Sequence, residues 1–373
     1  MDVCAVICEY NPFHKGHARQ FRLIRDALGA DTAILCLMSG VFVQRGEPAI
    51  FPPLVRAQAA LEAGADLVLE NPLPNVLRSA EGYARGSAEL LQDLGCVSHL
   101  SFGCECGSAD ALMNLAKLLR TPSFQQALRP ELDRGISFAS ARQRAVEALG
   151  GDGTLLTQPN NILGVEYCKA LMELRSPIQP LAVRRTGDYH ARDLDPDEPS
   201  ATALRTALLS GEIQTEQRLH SWRFGERAVL AILRTKPREA YAQLPHGEEG
   251  LWSRFQRACL EHADLEAILE AAKSKRYART RLQRLMSCAY LGIDRDILYG
   301  TAPYVRVLGF SQRGQELLHT LRTTASRPLV HAGARAPDRS YEEMEARWRD
   351  LYELLSQNAP IYGTLRRERV IPT

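Results

Sequence analysis

Through its first 210 residues the chain alternates short apolar runs with longer stretches in which apolar positions recur every three or four residues. The runs at Val3–Cys8, 32–38, 67–70, 97–102 and 179–183 predict strands. Helical periodicity fills the gaps at 19–28, 55–63, 80–94 and 109–149, with a break near Pro122. Strands alternating with helices build βαβ units, so the expected fold is α/β: a doubly wound, Rossmann-like domain on a parallel sheet. In such sheets ligands gather beyond the carboxyl ends of the strands. The segment 187–200 is polar and proline-bearing and reads as a loop. Residues 211–355 are almost all helical in pattern, with no strand candidate longer than a few residues. The expected division is therefore 1–210 for the α/β domain and 211–373 for a mainly helical one.

Composition narrows the class without naming a function. The chain has 373 residues, 45% apolar and 24% charged, as ordinary globular proteins have. No run approaches the roughly 18 apolar residues that cross a bilayer. No secretory leader pattern opens the chain, so the expected location is the cytoplasm. Nine cysteines are scattered through the chain and lack paired C-x-x-C spacing, so all are read as reduced and no metal site is assigned. Charge is uneven: residues 1–210 carry 20 Lys+Arg against 24 Asp+Glu, and residues 211–373 carry 26 against 20. A basic second half points weakly to a polyanionic partner.

His14-Lys15-Gly16-His17 lies between the first strand and the first helix. A helix N-terminus offers backbone N–H groups and partial positive charge to a phosphate, Gly16 lets backbone approach closely, and His14 and His17 can donate to developing charge. The bland reading is a polar surface turn. Asn160-Asn161 opens a later helix, where an amide can read a base or ribose edge or simply cap the helix. Arg184-Arg185 ends the last predicted strand, suited to phosphate or ring stacking, or to solvent. Ser200-Ala-Thr202-Ala-Leu-Arg205 opens another helix, with Ser200 as N-cap. From Lys273 to Arg284 stand six cations and no carboxylate, with Tyr277 among them. Lys275, Arg276, Tyr277, Arg279 and Arg284 thus form a candidate RNA-binding face, against the alternative of a solvated helix surface.

The Ser200–Arg205 stretch resembles the second signature of the His-x-Gly-His nucleotidyltransferase superfamily. The run Ile7-Cys-Glu-Tyr-Asn-Pro-Phe-His-Lys-Gly-His17, then Ser39-Gly-Val-Phe-Val-Gln44-Arg45-Gly46-Glu47-Pro48, Gly64-Ala-Asp66, Ser101-Phe-Gly103-Cys-Glu105 and Asn160-Asn161-Ile-Leu-Gly-Val-Glu-Tyr167, resembles the bacterial tRNA(Met) cytidine acetate ligase family. The match spans about residues 1–300. It departs where a lysine is expected shortly before Arg56 and Pro52-Pro53-Leu54 stand instead. The resemblance implies an ATP-dependent enzyme that activates acetate as acetyl-adenylate and acetylates N4 of the wobble cytidine of elongator tRNA(Met). It implies ATP contacts at Ile7, Cys8, Glu9, Tyr10, Asn11, Pro12, Phe13, His14, Lys15, Gly16, His17, Ala18, Arg19 and Gln20, and at Gly103, Asn161 and Arg185. His14, His17, Thr202 and Arg205 are the expected catalytic groups. Mg2+ would ordinarily accompany ATP, but no ligands for it are assigned. A small-molecule adenylyltransferase, or a nucleotide- and RNA-binding protein without catalysis, remain the alternatives.

Overall fold

The computed structural model describes residues 2–185, 200–274, 277–360 and 362–373. The strands are β1 Val3–Cys8, β2 Ala33–Ser39, β3 Phe42–Val43, β4 Glu47–Pro48, β5 Leu67–Asn71, β6 His99–Cys104, β7 Gln179–Arg184, β8 Val305–Phe310, β9 Leu329–His331 and β10 Ile371–Pro372. The main sheet runs β10-β8-β5-β2-β1-β6-β7, with β9 also on β8. All its pairings are parallel except β5 with β8. Every residue of β1 and β2 is buried, as strands covered on both faces require. Chain order reverses about β1: β2 lies on one side and β6 on the other, so β1 is the topological switch point.

The five predicted strands and their intervening helices form as expected, with ends shifted by up to two residues, except that the first helix starts four residues earlier, at Lys15. The 109–149 stretch resolves into three helices, Ala109–Leu119, Pro122–Asp133 and Phe138–Ala148. Ser108, Thr121 and Ser137 cap their first turns by accepting backbone N–H groups.

The second half needs correction. It is helical from Glu226 to Tyr299, but Val305–Phe310 is a six-residue strand inserted antiparallel beside β5. Residues beyond 300 therefore complete the first half's sheet, and a cut at 210 does not separate two consecutive units. The buried charges agree: Arg349 Nη1 donates to Glu70 Oε1 at 2.8 Å, across 279 positions of chain. A large apolar cluster, with Leu282, Leu285, Tyr290, Trp348 and Tyr352, also takes in Val41 and Phe42 of the first half. Among the described residues no helix is long and apolar enough to cross a membrane.

Candidate active site

At the carboxyl end of β1 the chain passes through His14 into the helix Lys15–Leu28. His14 is the N-cap. Its Nδ1 accepts the Gly16 N–H at 3.1 Å, and His17 Nδ1 accepts the His14 N–H at 3.2 Å. The two imidazoles thus form a reciprocal capping box, with stacked rings whose centroids lie 3.7 Å apart. Because both Nδ1 atoms accept, each ring carries a proton on Nε2. Burial, with help from His14 and Arg185, holds His17 well below the usual imidazole range, so it stays neutral at physiological pH. Gly16 also has a use within the protein. A Cβ there would lie 2.9 Å from His14 Cε1, so glycine makes room for the ring to fold back on the helix start.

A cavity of about 540 Å³ opens here. Ile7, Cys8, Glu9, Tyr10, Asn11, His14, Gly16, His17, Arg19 and Gln20 line it; Pro12, Phe13, Lys15 and Ala18 of the expected stretch do not. Thr202 and Arg205 reach the same cavity from the helix Ala201–Ser210, capped by Ser200 as expected. Arg205 donates to Thr202 Oγ1 at 3.1 Å within its own helix and to the Asn11 carbonyl at 2.6 Å, which ties this helix to the loop between β1 and the histidines. Gly103 and both Arg184 and Arg185 line the β6–β7 side. A Cβ on Gly103 would meet Arg185 Cγ at 3.1 Å, so the arginine side chain lies across the glycine.

Asn161 is buried but does not line the cavity; Asn160 does. Asn161 Oδ1 accepts the N–H groups of Glu105 and Cys106 at 3.0 and 3.1 Å, holding the turn after β6. Neither asparagine caps its helix. Glu105 does so instead, its carboxylate accepting the Asn160 and Asn161 N–H groups.

The expected RNA face is largely dismantled. Tyr277 is buried, its hydroxyl donating to the Glu249 carbonyl at 2.8 Å, so it offers no stacking surface. Arg279 pairs with Glu266 and Glu270, and Arg281 with Glu248 and Glu249. Carboxylates outside the run therefore neutralise these two arginines. Arg284 is buried and lines the cavity. Lys275 and Arg276 lie outside the described residues.

The other wall is formed by Gln44, Arg45, Glu47, Tyr83, Tyr167, Thr280 and Arg284; in sequence, Gln44, Arg45, Glu47 and Tyr167 stand only as motif positions without a role, Arg284 as an RNA contact, and Tyr83 and Thr280 carry no signal. The signal available was the Ser39–Pro48 stretch, which follows a predicted strand on the ligand-bearing edge. The strand ends behind this wall are held by Arg56, whose buried guanidinium donates to the carbonyls of Glu9, Ser39, Gly40 and Phe51. Glu9 Oε1 accepts the Gln44 N–H at 2.8 Å, and burial raises the Glu9 pKa. Among the described residues no group of three or more His, Cys, Asp or Glu is placed to hold a metal ion.

The family model described as HIGH Nucleotidyl Transferase matches residues 1–364. A tRNA(Met) cytidine acetate ligase of Clostridium perfringens is 31% identical over 97% of both chains. One of Halothermothrix orenii is 35% identical over 88% of this chain and 87% of its own. Among solved structures, apo Thermotoga maritima TmcAL superposes over 100% of both chains with a TM-score of 0.90 at 25% identity. The same protein bound with alpha-thio ATP gives 0.87, also at 25% identity and full coverage.

Proposed function

This chain belongs to the tRNA(Met) cytidine acetate ligase family, within the HIGH nucleotidyltransferases, and on that premise we propose how its cavity carries out ATP-dependent acetylation of the wobble cytidine of elongator tRNA(Met). The observation that carries the reading is the convergence of His14, His17, Thr202 and Arg205 on one cavity at the switch point of the sheet. ATP lies across β1, its ring toward Phe102, Gly103, Ile162, Leu163 and Arg185, and its phosphates over the start of the Lys15–Leu28 helix.

In the first step an acetate oxygen attacks the α phosphorus. The bond to the bridging oxygen of the β phosphate breaks, pyrophosphate leaves, and acetyl-adenylate remains. The pyrophosphate gains charge in the transition state; the Nε2–H groups of His14 and His17, the Thr202 hydroxyl and the Arg205 guanidinium are the donors that meet it. In the second step the cytidine N4 attacks the acetyl carbon, the bond to the AMP oxygen breaks, and N4 loses a proton. That amine is a poor nucleophile, so the mixed anhydride supplies the drive.

The helical half closes one side of the cavity through Thr280 and Arg284, and tRNA docks against it so that an anticodon base swung out of the loop reaches the acetyl group. A tRNA substrate and nine unpaired cysteines support work in the reducing cytoplasm.

The test is acetate-dependent exchange of labelled pyrophosphate into ATP, followed by transfer of labelled acetate to total tRNA. Exchange that requires acetate, and label confined to N4-acetylcytidine, support the reading. Exchange indifferent to acetate, with transfer of AMP to a small molecule, overturns it.

A further inference from the structure

The switch point divides the cavity into two sides. On the β6–β7 side stand Gly103, Asn160 and Arg185; on the β2 side stand Gln44, Arg45 and Glu47, from the β3–β4 hairpin, with Thr280 and Arg284 from the helix Arg279–Leu291. If the nucleotide takes the β6–β7 side, the acyl substrate enters from the β2 side, where the reacting carboxylate can face the α phosphorus.

Arg284 is the unusual group on that side. It is 8% exposed, and its Nε has no hydrogen-bond partner among the described residues. Its bond to the Gln44 carbonyl is long, 3.5 Å. Burial brings its pKa down to about 10, Arg281 adds to the effect, and the opposing groups are Cys288 and Tyr299, with no carboxylate among them. The two carboxylates of the wall are engaged: Glu9 by the Gln44 N–H, and Glu47 by Gln283 Nε2 at 2.9 Å. A guanidinium buried without a counter-ion is costly unless an anion joins it.

Nor is Arg284 buried by accident of packing. Gly46, at φ +78°, lets the hairpin come so close that a Cβ would lie 2.5 Å from the Arg284 backbone nitrogen. Ser287 Oγ donates to the Gly46 carbonyl at 2.8 Å, which fixes the contact.

We propose that Arg284 is the anchor for the carboxylate of the acyl substrate, its terminal guanidinium N–H groups holding one oxygen while the other faces the α phosphorus. This rests on the acetate-activation reading. A neutral cytosine would leave the buried charge unbalanced, whereas a carboxylate balances it. The ATP phosphate is the other anion that could do so.

The experiment uses the full chain with Arg284→Gln and Arg284→Lys. Binding of 13C-acetate is followed by NMR in the presence of a non-hydrolysable ATP analogue, and KM for acetate and for ATP by pyrophosphate exchange. Arg284→Gln is expected to raise the acetate Kd and KM by about 10- to 100-fold, the worth of a charge-assisted hydrogen bond. Affinity for the ATP analogue stays unchanged, which also reports a folded protein. Arg284→Lys keeps the charge without the fork and falls between. Should Arg284→Gln fail to fold, Arg284→Lys decides by the same shift. Unchanged acetate affinity overturns the proposal, as does a loss confined to ATP, which makes the contact a phosphate one, or to tRNA. A wild-type protein that binds acetate through Arg284 but exchanges no pyrophosphate keeps the anchor and sinks the activity.

Discussion

Replacing His17 separates two jobs that one side chain performs. Its Nδ1 accepts the His14 N–H at 3.2 Å and completes the capping box, while the ring, with its proton on Nε2, lines the cavity. His17→Ala loses both. The cap is worth about 1 kcal/mol of stability, and one donor aimed at developing charge is worth about 2.7–4 kcal/mol of barrier, or about 100- to 1,000-fold in rate. His17→Gln restores the residue type that capping boxes favour at this position, with its oxygen toward the His14 N–H and its NH2 toward the cavity. It should therefore unfold at the wild-type denaturant midpoint, and its rate should lie between wild type and His17→Ala. Acetate-dependent pyrophosphate exchange measures the first quantity, and urea unfolding the second. Protonation of His17 should not limit exchange between pH 8 and pH 6, because its pKa in the folded state lies well below 6.5. A folded His17→Ala protein that exchanges at the wild-type rate refutes the catalytic assignment.

Three further outcomes follow from the same structure. His246 is buried, bonded to the Leu77 carbonyl, and held near a pKa of about 3 by burial. Its folded form stays neutral while the unfolded chain takes up a proton near 6.5, so its contribution is intact above pH 6.5 and is lost as pH falls toward 3. His246→Gln should flatten the pH dependence of unfolding free energy in that window by about 1.4 kcal/mol per pH unit; an unchanged slope shows that His246 does not titrate on unfolding. Gly46→Ala should cost about 1–3 kcal/mol in urea unfolding, because φ is +78° and the new Cβ meets the Arg284 backbone; a neutral substitution would mean that the hairpin moves freely off the helix. Arg279→Ala should leave tRNA affinity and its salt dependence unchanged in filter binding, since Glu266 and Glu270 already neutralise this arginine; a salt slope reduced by about one would put Arg279 on an RNA phosphate.

How much of this the sequence carried depends on how local each cause is. The five parallel strands at the centre are apolar runs whose neighbours are helices of matching period, and both signals lie within a window of a dozen residues. His14 and His17 were legible for the same reason: strand, motif and helix are adjacent, and the capping box is a contact between positions three apart. The strand Val305–Phe310 was missed. Arg306 breaks its apolar run, and partners remote in sequence make that arginine tolerable inside a sheet: Glu345, across 39 positions, with a 2.9 Å bond to Nε, and the Ala334 carbonyl at 3.2 Å from Nη1.

Arg284 shows the limit most clearly. In sequence it belongs to a cluster of cations beside a tyrosine, which is the pattern of an RNA-facing helix. Among the described residues that cluster is dispersed among three environments: Arg279 and Arg281 go to glutamates, Tyr277 to a buried carbonyl contact, and Arg284 to the cavity. What decides between them is the approach of the β3–β4 hairpin to the backbone of the Arg279–Leu291 helix, and that approach depends on Gly46, more than 230 positions away. A charge run read along one helix assumes that the facing surface is solvent. Here the facing surface is the other half of the same site.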